Sequence, residues 1–234
     1  MSDQEINCYL CGKQIREDTN LDHIPPKQFF GTEVRKTLNP NLITLPTHRT
    51  CNSSFQLDED YFVTSLTPLI SESESGRSVY NDVRRRFDEG KKVGLVHKVY
   101  EEFDENPSGL ILPRGKVLKR FEGQRIRRVV WKITRGLYFI ENSLILPEET
   151  DFRILYTFPG EEPHKIINLF TASDLNGKYP GVFDYAYKKN TVENITGNVW
   201  ALLFWDQIMT MILFHDVTCR CQDCILKKDE KAKY

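Results

Sequence analysis

The sequence predicts an α+β protein built in three consecutive parts. Two close pairs of metal-ligating residues, Cys8 with Cys11 and His48 with Cys51, fall near its start. Apolar residues then recur at helical spacing through the middle of the chain, with charged residues on the other side. After Pro147 the pattern turns to short alternating stretches rich in aromatic and β-branched residues. We therefore expect a zinc-stapled module over residues 1–70, a helical and basic connecting region over 71–145, and a C-terminal mixed domain with an antiparallel sheet over 146–234.

Each element has its own signal. Residues 52–66 read as a helix, with Phe55, Phe62 and Leu66 as spaced apolar residues. Asp58, Glu59 and Asp60 sit in its early part, where carboxylates meet the positive end of the helix dipole. Ser71 to Arg77 is polar and predicts a linker. Helices follow over 79–89 and 93–103, separated by Gly90, and Asn106-Pro107-Ser108-Gly109 signals a turn. From Arg125 to Ile140 the residues Ile126, Val129, Val130, Ile133, Leu137 and Ile140 share one side of a helix. Strands are expected over 152–158, 182–188, 199–205 and 209–217, the last two forming a hairpin around Asp206 to Ile208. Residues 162–172 can supply one more helix, and the charged tail from Lys227 to Tyr234 is expected to fray.

Composition narrows the setting. Of 234 residues, 40% are hydrophobic, enough to bury a core and to exclude wholesale disorder. The polar stretch Met1 to Asn7 lacks the apolar segment of a secretory signal. The most apolar run, Val199 to Val217, is interrupted by Asp206-Gln207 and His215-Asp216, so no membrane span is expected. A cytoplasmic location follows as the expectation, and there closely paired cysteines bind metal more often than they form disulfides. The net charge of −1 argues against a uniformly basic coat, so any nucleic-acid contact must come from local patches.

Cys8-x2-Cys11 and His48-x2-Cys51 meet the spacing rule for a tetrahedral zinc site of thiolate and imidazole ligands. Gly12 directly after the first pair permits the tight turn of a knuckle. So small a module has little core of its own, so the metal would supply folding free energy. Between the two pairs lie Asp22-His23-Ile24-Pro25-Pro26 and Asn41-Leu42, and Asn52 follows the last ligand.

That arrangement resembles the signature of the HNH endonucleases in their zinc-stapled ββα-metal form, over about residues 8–62. The resemblance implies a metal-dependent nuclease that hydrolyses phosphodiester bonds, DNA being favoured over RNA, and leaves 5′-phosphate and 3′-hydroxyl ends. It implies His23 as the general base, activating a water for in-line attack on phosphorus. Asp22 and Asn52 would hold a divalent ion, Mg²⁺ or Mn²⁺, beside the scissile phosphate. Asn41 would orient the His23 ring through its backbone carbonyl or its amide, and Pro25 and Pro26 would stiffen the loop leaving the histidine. Two positions depart from the commoner pattern. His48 stands where many relatives have cysteine, and Asn52 stands where the signature can carry histidine. Each substitute still offers a suitable donor atom.

Between Arg114 and Arg135 nine Lys or Arg residues accompany a single acid, Glu122, for a local charge of +8. Arg125, Arg128, Lys132 and Arg135 recur at helical spacing and predict a nucleic-acid-binding stripe, with a solvated helix face as the alternative. Arg84-Arg85-Arg86 has acids on both sides and reads as a solvated face. Cys219, Cys221 and Cys224 follow His215 in a spacing that fits no standard zinc pattern, so reduced thiols are the default there and a second metal the alternative. The expected function is nucleic-acid cleavage, with a homodimer suited to paired cuts and a protein partner reached through the C-terminal domain as further possibilities. The rival is a non-catalytic zinc-binding adaptor that docks on nucleic acid or protein.

Overall fold

The computed structural model describes residues 6–38, 40–104, 112, 117–171, 174–193 and 195–224. The strand β1 (Thr19–His23) pairs antiparallel with β2 (Thr44–His48), from Thr19 opposite His48 to His23 opposite Thr44. A short helix, α1 (Thr32–Leu38), lies in the connection. The helix expected over 52–66 is two helices, α2 (Arg49–Ser53) and α3 (Gln56–Leu66). Ser53 and Ser54 return their hydroxyls to the carbonyls of Thr50 and Cys51, a local bonding that competes with the helical ladder.

The polar stretch expected as a linker instead starts a helix, α4 (Glu74–Asp88). Ser73 caps it by accepting the Gly76 N–H at 3.0 Å, and a cap and a linker share the same polar residue types. Any side chain at Gly76 would meet the Ile70 carbonyl. After Gly90 comes α5 (Val93–Glu101), which stops short of the expected end because Phe103 passes into a two-residue strand. That strand, β3 (Phe103–Asp104), pairs with β4 (Leu118–Lys119). Then α6 (Gly123–Asn142) runs for 20 residues and ends at Ser143 in the left-handed conformation. The helix expected over 162–172 is only a 3-10 turn at Lys165–Leu169, capped by the His164 ring. The expected turn at 106–109, the cations Arg114 and Lys116, and the tail 227–234 lie outside the described residues.

Four strands, β5 (Phe152–Thr157), β6 (Phe183–Val192), β7 (Ile195–Phe204) and β8 (Ile208–His215), form one antiparallel sheet in the order β5-β8-β7-β6. α6 lies against it, with Trp131 stacked on Phe152 at 4.0 Å and Tyr138 packed on Phe214 and Trp200. The β7–β8 turn places Trp205 and Asp206 at positive φ. Trp205 is held there by its burial against Phe29 and Phe62 and by its indole N–H, which donates to the Phe29 carbonyl at 2.8 Å. Apolar packing therefore runs without a break across residues 70 and 145, from Tyr9 through Phe62 and Val129 to Phe214. No described helix is long and apolar enough to cross a membrane.

Candidate functional site

The knuckle at residues 8–13 is closed by Gly12 N–H to the Cys8 carbonyl and Cys8 N–H to the Lys13 carbonyl, with Gly12 at a φ of +72°. The end of β2 supplies His48, and the first turn of α2 supplies Cys51 one helical turn later. The donor atoms of Cys8, Cys11, His48 and Cys51 all lie within 4.8 Å of one another. His48 Nδ1 stands 3.4 Å from Cys11 Sγ and 3.9 Å from Cys51 Sγ. Its Nε2 faces the Gln14 carbonyl at 3.3 Å, an outer contact that orients the ring and leaves Nδ1 to a metal. Burial and then the neighbouring thiols push the Cys51 thiol up to about 12, the crowding that a bound cation relieves. The cluster can hold a metal ion such as zinc.

Tyr9, inside the knuckle, ties this clamp to the acid of the Asp-His pair. Its hydroxyl donates to Asp22 Oδ2 at 2.6 Å, and both residues are buried. Burial and the Asp22 charge hold the Tyr9 phenol well above its ordinary value, so it remains a donor. Asp22, His23 and Asn52 open on one cleft of about 230 Å³, lined also by Lys27, Gln28 and Glu59. His23 is half-buried. Burial, then Lys27, hold its imidazole below the ordinary value of 6.5, with Lys132 acting the same way and Asp22 opposing.

The structure adds two groups around the oxygens of Asp22 and Asn52, Glu59 on the cleft wall and Lys132 buried behind it. Lys132, fully buried on α6, brings its Nζ within 2.9 Å of Asp22 Oδ1, 3.1 Å of Asn52 Oδ1 and 2.5 Å of Glu59 Oε1. Its three protons meet three acceptors. The ammonium thus stands where the oxygens of Asp22 and Asn52 converge, the place the resemblance assigns to a divalent ion. Burial raises the Glu59 carboxyl above its ordinary value, although Lys132 pulls it down. Tyr9 carried no sequence signal, and Glu59 read only as an acid at a helix start. Glu59 follows Asn52 by seven residues, two helical turns, and that spacing could have pointed to it.

The stripe expected to face phosphates faces the protein. Lys132 and Arg135 are buried, and Arg135 donates to the carbonyls of Leu10 and Leu146. Arg125 pairs with Asp58 at 2.8 Å and donates to the Leu57 carbonyl. Arg128, about half exposed, also reaches Asp58, at 3.4 Å. Nearby, Lys119 meets Glu102, Arg120 meets Asp104, and Arg127 donates to the Phe152 carbonyl. Acids and carbonyls from other elements thus meet the described cations of this segment, which a count along the chain does not register.

Asn41 is exposed, and its backbone carbonyl accepts the Tyr179 hydroxyl at 3.2 Å. Among the described residues no hydrogen bond joins Asn41 to His23, so the expected orienting contact is not formed. A second Cys/His cluster, at His215, Cys219, Cys221 and Cys224, can also hold a metal ion. No family model, no curated protein and no solved structure matches this chain.

Proposed function

We propose that the chain is an HNH-type, metal-dependent endonuclease that hydrolyses phosphodiester bonds of nucleic acid, DNA in preference to RNA. The observation that carries this reading is the convergence of Asp22, His23 and Asn52 on one open cleft beside the Cys8–Cys51 clamp. His23, kept neutral by its surroundings, accepts the proton of an attacking water. Lys27 is the exposed cation of the cleft and meets the substrate phosphate. Tyr9 fixes the Asp22 carboxylate by a bond that originates inside the clamp.

The oxygens of Asp22, Asn52 and Glu59 suit a hard divalent cation: all three lie within 3.1 Å of a single point, the Lys132 ammonium nitrogen. Mg²⁺ or Mn²⁺, were it held by Asp22, Asn52 and Glu59, would supply charge neutralisation at the scissile phosphate. Lys132 must withdraw its ammonium to admit the ion, so Lys132 acts as a tethered competitor for the site. Clamp and cleft are built on strand and helix ends, which supports preorganisation of the reacting groups.

The second reading, a zinc-binding adaptor without cleavage, draws on the same ammonium, which satisfies the three oxygens unaided. Incubation of plasmid with the full chain and Mn²⁺ or Mg²⁺ separates the two. Cleavage by the wild type and its loss in His23→Ala, with zinc content unchanged, are expected. Cleavage unaltered in His23→Ala removes His23 as the base. Tight nucleic-acid binding without cleavage under either ion moves the chain to the adaptor class.

A further inference from the structure

The last residue of β8, His215, faces three cysteines that follow it within nine positions. Its Nδ1 lies 3.2 Å from Cys224 Sγ, 3.4 Å from Cys221 Sγ and 3.7 Å from Cys219 Sγ. All four donor atoms fall within 4.8 Å of one another. Tetrahedral zinc, with bonds of about 2.3 Å to sulfur and about 2.0–2.1 Å to nitrogen, sets neighbouring N and S atoms ~3.6 Å apart and S atoms ~3.8 Å apart. The observed separations bracket the first figure. A disulfide is a different geometry, with sulfurs ~2.0 Å apart, and none joins Cys219, Cys221 and Cys224.

The turn that delivers these ligands is fixed independently of them. Asp216, buried, accepts the Thr218 N–H and hydroxyl through Oδ1, and its carbonyl accepts the Cys219 N–H at 2.9 Å. Its Oδ2 accepts the Tyr138 hydroxyl of α6 and the Asn198 amide of β7, each at 2.8 Å. The Thr196 N–H points at Cys219 Sγ from 3.4 Å, a backbone donor that favours thiolate over thiol. Cys219 and Cys221 are buried although the segment sits beyond the last strand. Three thiolates with one imidazole select a soft, tetrahedral ion over a hard one.

We propose that His215, Cys219, Cys221 and Cys224 form a second, structural zinc site that closes the end of the sheet. Four protein ligands leave no open coordination position, so the ion holds the chain after β8 against the start of β7 and takes no part in chemistry. The spacing His-x3-Cys-x-Cys-x2-Cys departs from the usual paired pattern because the strand end and the Asp216 turn, rather than two knuckles, bring the ligands together. This site stands whether or not the nuclease reading does.

Metal analysis of the full chain purified without added metal tests it. Two zinc ions per chain are expected, one for each cluster. The double variant Cys221→Ser/Cys224→Ser is expected to lose one zinc and Cys11→Ser the other. His215→Cys, which restores four soft ligands, should keep both, whereas His215→Ala should lose or weaken one. If variants fail to fold, the wild type still decides. Its six cysteines should resist a thiol reagent until a chelator releases both ions. One zinc in the wild-type chain with three freely reacting thiols overturns the proposal, as does a disulfide among Cys219, Cys221 and Cys224. Retention of both ions by the double variant overturns it equally.

Discussion

Lys132→Met removes the ammonium and keeps a flexible side chain of similar length, so it isolates the charge buried behind the oxygens of Asp22, Asn52 and Glu59. In the wild type that charge faces the buried carboxylate of Asp22 at 2.9 Å and the part-buried one of Glu59 at 2.5 Å. Removing one partner of a buried ion pair costs about 3–5 kcal/mol, because the other charge is left uncompensated. For a chain of this length each kcal/mol lowers the melting temperature by about 2–4 °C. In EDTA-free buffer without divalent ions, the variant should therefore melt roughly 6–20 °C below the wild type. Chelators would also strip the clamp, so calcium-free and magnesium-free dialysis is the proper reference state.

The response to added Mn²⁺ is the decisive half of the experiment. A ligand that binds only the folded state at 100 times its dissociation constant stabilises it by about 2.7 kcal/mol. In Lys132→Met the oxygens of Asp22, Asn52 and Glu59 stand unoccupied by any cation, so Mn²⁺ should recover a large part of the lost melting temperature. In the wild type the ammonium must first leave, so the same Mn²⁺ concentration should raise the melting temperature less. Equal melting of variant and wild type without divalent ions, or an Mn²⁺ response no larger in the variant, would refute the view of Lys132 as a competitor at an ion site.

Three further outcomes follow from the same geometry. Tyr9→Phe removes a hydrogen bond to a charged group and should cost about 1.5–3 kcal/mol in melting experiments, with zinc content intact; an unchanged melting temperature would separate the clamp from Asp22. Gly136→Ala places a Cβ 2.6 Å from Ile24 Cδ1, beside His23, and overpacking of this kind costs about 1–3 kcal/mol; a neutral effect would mean that α6 shifts freely over β1. His23 has its imidazole pKa lowered by burial and by Lys27, so the acidic limb of a cleavage profile should have its midpoint below 6.5. The sign for stability agrees: the unfolded chain protonates first, so this residue withdraws stability as pH falls through 6.5. A divalent ion would add positive charge and move the limb the same way, and a midpoint at or above 6.5 would contradict the assignment.

The parts of the fold that were legible in the sequence are those set by neighbours along the chain. The clamp is such a part, since Cys8/Cys11 and His48/Cys51 each sit within one turn and announce themselves by spacing. The strand β7 is another, because Trp200, Leu202 and Phe204 alternate with less buried residues and all three are fully buried. Ser73 was illegible as a cap because the same residue types make a linker. The roles of Lys132 and Arg135 were illegible for a different reason. The oxygens around Lys132 lie 73 to 110 residues away and the knuckle carbonyl that Arg135 reaches lies 125 away, and no local count of charge can weigh a group that arrives from another element.

That distance explains why α6 matters more than its stripe of cations suggested. One face of the helix carries Trp131 and Tyr138 into the sheet, and Tyr138 reaches Asp216 beside the second cluster. The same helix sends Arg135 to the knuckle carbonyl at Leu10 and Lys132 to the oxygens of the cleft. Burying two cations on one helix is costly unless each finds partners: Lys132 meets three side-chain oxygens, and Arg135 donates to two backbone carbonyls. The expense is difficult to account for by stability alone, since apolar residues of similar size hold a helix in place at least as well. What a lysine and an arginine provide at these positions is direction: they fix the rotation of α6 about its own axis relative to the clamp.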